Sequence, residues 1–328
     1  MCKIERNISV DVLRTFGIVM VMLGHYYYFP IPYYNSFLQS IHLPIFFIIN
    51  GYFLHHEWNV STLKKETASY LLPYFVTSAI ILLLGIAKND SLTTNLLAIL
   101  WGKSTMHVPY PDAIFAKFPR IGAIWFLWAL WWSRQFVHFS IKFNHILLFP
   151  IAFFFIGVFS FEKIYLPFSI QSGLVASAYT AIGKIIRDSK FLEKKCSSIP
   201  LIVICILLWG GCILYGGVNI GICHFKNIPI CFVGSICGVY LTYLLSKKIA
   251  TISSLRKIWK IGETSLFILC LHLIDLYVLN INSYCNLFPD NPFFFNYFIG
   301  MLFVTFYMFV IYFLFKRIPF FKFTFKIK

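Results

Sequence analysis

The sequence predicts an all-α polytopic membrane protein, a bundle of about ten transmembrane helices with both termini in the cytoplasm. Three observations lead to this fold class. The chain of 328 residues is 59% hydrophobic and only 12% charged, whereas soluble domains average about 25% charged residues. Apolar runs of roughly the length that a helix needs to cross a bilayer recur from end to end. Most of the 28 lysines and arginines lie in alternate connections between these runs.

The ten predicted spans are apolar runs near the ~20 residues of a bilayer-crossing helix, although a few are shorter. They cover residues 8–28, 37–54, 70–87, 122–138, 145–161, 168–186, 199–216, 228–246, 263–281 and 295–315. The connections on the side of the N-terminus are the basic ones, and the positive-inside rule therefore places both termini in the cytoplasm. The net charge of +16 is thus a topology signal. It favours contact with the lipid bilayer and argues against nucleic acid as a partner.

We expect a single integral membrane domain over residues 1–328, located as a multi-pass protein in the cell membrane, such as a bacterial cytoplasmic membrane. The longest connection is an outer loop at about 88–121, with a predicted interfacial helix around Leu96–Trp101. Loops of this length often serve as lids over a site, although an ordinary connector fits the sequence equally well.

The first span contains three ionisable residues, Asp11, Arg14 and His25. Charged groups at membrane depth are costly and therefore mark candidate functional sites. Arg14 and His25 lie three helical turns apart, which places them within roughly 20° of one face and about 16 Å apart along the axis. Asp11 can pair with Arg14 at i,i+3 spacing, and the near-neutral pKa typical of histidine suits His25 to act as a general base. The alternative is that Arg14 and His25 simply reach the two membrane interfaces.

Further polar candidates lie in later spans. His42 and Pro44 open the second span, and Asn50 interrupts its far end beside Gly51. His272 either lines a cavity in the bundle or pairs with Asp275, and the pairing is the interpretation we favour.

At this point the chain resembles the membrane-bound acyltransferase-3 family. The resemblance extends over essentially the whole chain and is closest to the branch related to fucose 4-O-acetylases. An Arg and a His separated by ten residues in the first span, preceded by an Asp, form one hallmark, and a His-x-Pro run ending before Gly-Tyr forms another. The matching segments are Asp11-Val12-Leu13-Arg14, Gly24-His25, His42-Leu43-Pro44-Ile45-Phe46-Phe47, Asn50-Gly51-Tyr52, Leu71-Leu72-Pro73-Tyr74, Trp125-Phe126-Leu127, Ser265-Leu266 and Leu271-His272.

The chain departs from the family pattern at two places. Asn50 stands where the family usually has a serine, and Lys64 and Lys65 stand where arginines often precede the Leu-Leu-Pro-Tyr run. Lysine binds phosphate as a point charge without the bidentate geometry of arginine.

The resemblance implies a membrane O-acyltransferase that moves an acyl group, by default acetyl, from cytosolic acyl-CoA to a hydroxyl of a surface polysaccharide or lipid-linked sugar. His25 and Arg14 are the implied catalytic pair. Asp11, His42, Asn50, Lys64, Lys65, Trp125 and His272 are the implied supporting or substrate-binding residues. Acetyl-CoA is the expected donor substrate, and no bound cofactor is expected.

Two further interpretations concern a function without catalysis, which stays open, and a metal site, which is not expected. A polytopic transporter or a flippase of glycolipid, without catalysis, also keeps ionisable residues at membrane depth. A metal site at His55, His56 and Glu57 is not expected, because adjacent histidines on a helix point apart and no third ligand has suitable spacing.

Overall fold

The computed structural model consists of α-helices, with no β-strand in the part of the chain that it describes, and this confirms the predicted all-α class. The structure describes residues 7–26, 32–55, 58–104, 110–193, 198–252, 262, 264–278, 306, 310, 313 and 317–325. The helices are α1 (Ile8–Tyr26), α2 (Tyr34–Tyr52), α3 (Val60–Ala87), α4 (Leu92–Trp101), α5 (Trp125–Lys142), α6 (Leu148–Phe161), α7 (Ile170–Asp188), α8 (Ile199–Leu214), α9 (Ile228–Ile249) and α10 (Ser265–Val278), with a short helix at Pro319–Thr324.

Each predicted span up to 263–281 coincides with one of these helices, whereas 295–315 lies almost entirely outside the described residues. Within the described chain, three helical segments are long and apolar enough to cross a membrane, namely Ile8–His25, Val60–Ala87 and Ile228–Ile249. Shorter apolar helical segments include Leu148–Phe161 and Ile199–Leu214. These helices support a membrane protein, while the count of ten spans and the orientation of the termini stay predictions.

The outward faces of the short helices are apolar. Leu148 and Phe159 on α6, and Ile199 and Leu207 on α8, are all exposed. A helix that is apolar on all sides is typical of a membrane bundle, because lipid covers the face that protein does not.

Helix α3 begins about three turns before its predicted span. The Asn59 side chain accepts a hydrogen bond from the Thr62 amide at 2.8 Å, which satisfies one of the free N–H groups at the helix start. The helix therefore extends through the polar residues before Tyr70 and places Glu66 within the bundle.

Helix α7 forms the centre of the bundle, and α2, α5 and α6 pack against it. At the α2–α7 crossing the two backbones lie in direct contact. A Cβ atom at Gly51 would overlap the Thr180 carbonyl oxygen, and one at Gly183 would overlap the Ile48 carbonyl oxygen. The paired glycines therefore fix the depth at which α2 holds its polar residues.

The segment predicted as an outer loop contains α4, which confirms a helix around Leu96–Trp101. The chain after α4 is tied down by isolated bridges between Lys103 and Arg120 and between Ile114 and Ile164. Within this segment, Lys103 is buried and its Nζ donates hydrogen bonds to the carbonyl oxygens of Ala116 and Phe118. Burial lowers the pKa of Lys103.

Candidate functional site

A cavity of about 580 Å³ lies within the bundle. It joins residues of α1, α2, α3, α5 and α10 with the segments around Ser104 and Asn219. Five of the predicted site residues line it: Arg14, His25, His42, Asn50 and Trp125. A drug-sized ligand site typically encloses about 300–1,000 Å³, so the cavity is large enough for a substrate.

The cavity has two polar ends. Because α1 contributes both Arg14 and His25 to its wall, the two residues share a face as their spacing predicts. Asn50, Ser69 and Tyr70 lie with Arg14 in the wall at one end, which we call the arginine end. His42, Gln39 and Asn35 follow one another along α2 towards the other end, which we call the histidine end. Apolar side chains line the stretch between the ends, among them Ile18, Val21, Leu43, Phe46, Phe126, Leu130 and Leu266.

At the arginine end, the Arg14 guanidinium contacts a residue of its own helix and the residue that directly follows α2. Its Nη1 atom lies 3.7 Å from Asp11 Oδ1, which is the i,i+3 pair predicted from the sequence. Its Cζ atom lies 5.0 Å from the centre of the Phe53 ring. The Asp11 side chain is 8% exposed and that of Arg14 is 29% exposed, so the arginine is the partner that reaches open space. Arg14 therefore presents a fixed positive charge to the cavity.

At the histidine end, α1, α2 and α10 each contribute one histidine, and the imidazoles of His25 and His272 are in contact. The His25 and His272 rings stack with centroids 5.4 Å apart and an angle of 23° between their planes. His25 is exposed and lines the cavity, whereas His272 is fully buried behind it. The Asp275 side chain lies outside the described residues, so the favoured His272–Asp275 pair stays a prediction. The observed neighbour of His272 is His25.

His42 has a defined tautomer. Its Nδ1 atom lies 2.7 Å from the Leu38 carbonyl oxygen. Because a carbonyl oxygen only accepts hydrogen bonds, Nδ1 must donate, and Nε2 of the neutral ring carries the lone pair. His42 is thus an oriented acceptor in the wall of the same cavity that His25 lines.

Trp125 is 7% exposed and packs its ring against Gly221, where a Cβ atom would lie 2.9 Å from Trp125 Cζ2. The Ser104 hydroxyl donates to the Gly221 carbonyl oxygen at 2.9 Å. Trp125 therefore forms part of the cavity wall and packs against Gly221, which the Ser104 hydroxyl also contacts.

Lys64 and Lys65 are exposed on the first turns of α3, outside the cavity lining. Asp11 and His272 also lie outside the lining. Asp11 pairs with the lining residue Arg14, and His272 stacks on the lining residue His25. His56 and Glu57 fall outside the described residues. In the part of the chain that the structure describes, no group of three His, Cys, Asp or Glu side chains is placed to hold a metal ion.

Sequence reasoning missed a buried charged network next to the arginine end. Arg134 of α5 donates from Nε to Glu66 Oε1 at 2.8 Å, and its Nη2 atom lies 2.7 Å from the same oxygen. Arg134 Nη1 also donates to the Asn50 backbone and side-chain oxygens at 3.0 and 2.9 Å. His138 Nε2 also donates to Glu66 Oε1 at 3.1 Å, and Gln135 Nε2 donates to Glu66 Oε2 at 2.9 Å. Both oxygens of the Glu66 carboxylate therefore accept hydrogen bonds inside the bundle.

Asn50 is the point at which this network meets the cavity. Its Oδ1 accepts from Arg134 and from the Tyr70 hydroxyl at 2.7 Å. Its Nδ2 donates to the Leu130 carbonyl oxygen at 3.1 Å and to Ser133 Oγ at 3.3 Å. Every donor and acceptor of the amide is in use, so Asn50 shapes the wall and has no free hydrogen bond for a ligand.

The sequence did contain a signal for the network. Arg134 lies inside the predicted span 122–138, and the rule that singled out Arg14 applies equally to it. Glu66 carried no such signal, because the predicted third span began at residue 70.

Comparison with known protein families gives one match. The model of the acyltransferase-3 family, described as an acyltransferase domain, matches residues 7–320. No curated protein and no solved structure matches the chain significantly. The matched range includes both ends of the cavity and nearly the whole sequence. The chain therefore belongs to the acyltransferase-3 family of membrane acyltransferases.

Proposed function

We propose that the protein transfers an acetyl group from cytosolic acetyl-CoA to a hydroxyl of a surface polysaccharide or lipid-linked sugar. The observation that supports the proposal is that one cavity has a fixed cation at one end and imidazoles at the other. Family membership establishes acyl transfer, and the identities of the donor and the acceptor are our inference from the cavity.

The arginine end is assigned to the donor. Acetyl-CoA carries several negative charges, and a partly buried guanidinium attracts phosphate or a polarised carbonyl. With the termini in the cytoplasm, Arg14 lies in the inner half of α1, on the side where acetyl-CoA is made. The apolar stretch between the two ends suits the uncharged arm that carries the thioester. Because one cavity of about 580 Å³ must hold parts of both substrates, a short acyl group fits best.

The histidine end is assigned to the acceptor. Gln39 and Asn35 lie about one and two turns along α2 from His42, and Asn219 and Ser104 reach the cavity from the loops. Amides and hydroxyls both donate and accept hydrogen bonds, which suits the many hydroxyls of a sugar. The resemblance to the fucose 4-O-acetylase branch supports the same class of acceptor.

In the proposed reaction, a nitrogen of His25 removes the proton from the acceptor hydroxyl as its oxygen attacks the thioester carbonyl. The new C–O bond forms, the C–S bond breaks, and the CoA thiolate leaves. The proton held by His25 then neutralises the thiolate, which restores the neutral imidazole. Arg14 lies about three turns away along α1 and therefore serves donor binding rather than proton transfer.

The proposal is tested by mass spectrometry of surface glycans from cells that carry the wild-type protein, His25→Ala or no copy. We expect acetylated glycan with the wild type alone, at equal amounts of inserted protein. Equal acetylation in all three strains would contradict the proposal. If the protein is instead a flippase, the glycan disappears from the surface without its protein, and the acetyl content of the remaining glycan is unchanged.

A further inference from the structure

We infer that His272 is a positioning residue that holds the His25 ring in its reactive orientation without touching either substrate. The inference rests on the proposed role of His25 as the general base. Its basis is the stack between the exposed His25 ring and the buried His272 ring, with 5.4 Å between centroids and 23° between planes.

The position of His272 on α10 places it behind His25. Ser265 and Leu269 of the same helix line the cavity. His272 lies seven residues after Ser265 and three after Leu269, which places it on the same face of the helix. On that face it should also border the cavity, yet it is fully buried and absent from the lining. The exposed His25 ring lies between His272 and the open space.

His25 needs such a support because hydrogen bonds do not fix its ring. A catalytic histidine is commonly oriented by a hydrogen bond to its second nitrogen, as His42 is by the Leu38 carbonyl oxygen. Among the described residues, His25 makes no hydrogen bond, and its ring contact is with His272. Stacking is then what limits rotation of the ring and keeps a nitrogen facing the cavity.

The stack also has an electrostatic consequence. When His25 takes the proton of the acceptor hydroxyl, its ring becomes a cation. An uncharged aromatic face beside a partly desolvated cation attracts it. The face of His272 therefore stabilises the state that forms during proton transfer, and the effect falls on turnover rather than on donor binding.

The test compares His272→Phe with His272→Leu. Phenylalanine keeps an aromatic face against His25, whereas leucine fills similar space without one. The readout is the initial rate of label transfer from labelled acetyl-CoA to membrane glycan, measured over a range of acetyl-CoA concentrations. We expect His272→Leu to lower kcat at least tenfold with KM for acetyl-CoA unchanged, and His272→Phe to stay within about threefold of wild type. Ile268→Ala, a buried α10 residue outside the cavity lining, is the matched control and should leave kcat per folded molecule unchanged.

Thermal unfolding of each purified variant separates positioning from folding. If both His272 variants lose activity only in proportion to the folded protein lost, the inference is overturned. It is also overturned if His272→Leu retains full kcat, or if His272→Phe loses as much kcat as His272→Leu. Label transfer that is equal in membranes with and without the protein would overturn the proposed function itself, whereas full activity of His25→Ala alone would overturn the role of His25 as the general base.

Discussion

The histidine end of the cavity and the Asn50–Glu66–Arg134 network are both polar regions inside an apolar bundle, yet they differ in how their groups are paired. The network satisfies every hydrogen-bonding atom of Asn50 and surrounds the Glu66 carboxylate with donors. At the histidine end, His25 faces open space with no hydrogen bond to any described residue. Saturated groups stabilise the bundle, whereas unsaturated groups next to a cavity are available for chemistry.

The difference also explains why Asn50 is a poor candidate for substrate binding although it lines the cavity. Its side chain holds α2 against α5 through Arg134 and Leu130. The glycine pair at the α2–α7 crossing lets the α2 backbone next to Asn50 lie directly against α7. We therefore expect changes in the network to act on folding, and changes at the histidine end to act on turnover.

The largest expected effect is on stability. Glu66→Ala leaves the Arg134 guanidinium buried without its counter-ion, which should lower the free energy of unfolding by about 3–5 kcal/mol. Denaturation of the detergent-solubilised protein measures this change. Lys65→Ala, an exposed neighbour on the same helix, is the control and should change stability by no more than about 0.5 kcal/mol. Equal stability of the two variants would show that the network is not structural.

The next effect is on activity. His25→Ala removes the proposed general base and should slow acetyl transfer by roughly 100-fold or more, with little change in stability. Transfer from labelled acetyl-CoA to membrane glycan provides the rate. His145→Ala, an exposed histidine between α5 and α6, should keep the wild-type rate. A rate near wild type for His25→Ala would show that His25 is not the general base.

A smaller effect is expected where α2 crosses α7. Gly183→Ala forces a methyl group onto the Ile48 carbonyl oxygen and should cost about 2 kcal/mol of stability, moving Asn50 with α2. Gly210→Ala on α8 meets nothing within 4 Å and should be neutral or stabilising by up to about 1 kcal/mol. If the thermal unfolding midpoint rises in both variants, the contact between α2 and α7 at Gly183 can accommodate a methyl group, which would contradict this prediction.

The smallest effect is expected from Arg14→Lys. The change keeps the charge but removes the planar guanidinium, so donor binding should weaken by about 1.5 kcal/mol, roughly tenfold in KM for acetyl-CoA. The rate at saturating acetyl-CoA should change little. An unaltered KM would mean that Arg14 serves only as a membrane-topology charge.

Local sequence patterns predicted most helices and part of the site. The shared face of Arg14 and His25 followed from helical spacing, because both residues lie on one continuous helix. The Asp11–Arg14 pair followed for the same reason. The contacts of His272 and Arg134 did not follow, because they depend on how α10 meets α1 and how α5 meets α2 and α3. Such contacts join residues far apart in sequence, and periodicity carries no information about them.

The start of α3 shows a second limit of prediction from the sequence. Hydropathy located the apolar run at 70–87 but not the polar turns before it, where the Asn59 cap and burial of Glu66 against α5 extend the helix. Hydropathy counts a charged residue as polar even when a partner far away in the sequence pairs with it inside the bundle. The hydropathy of its own segment therefore does not predict that it is buried.

The central claim is that one cavity joins a donor on the cytoplasmic side to an acceptor on the opposite side. Its most direct test is a vesicle assay with labelled acetyl-CoA supplied to one face and glycan acceptor to the other. We predict label on the glycan only when acetyl-CoA is on the face of the N-terminus, and none with His25→Ala. Transfer that requires both substrates on the same face, or that proceeds equally from either face, would contradict the claim.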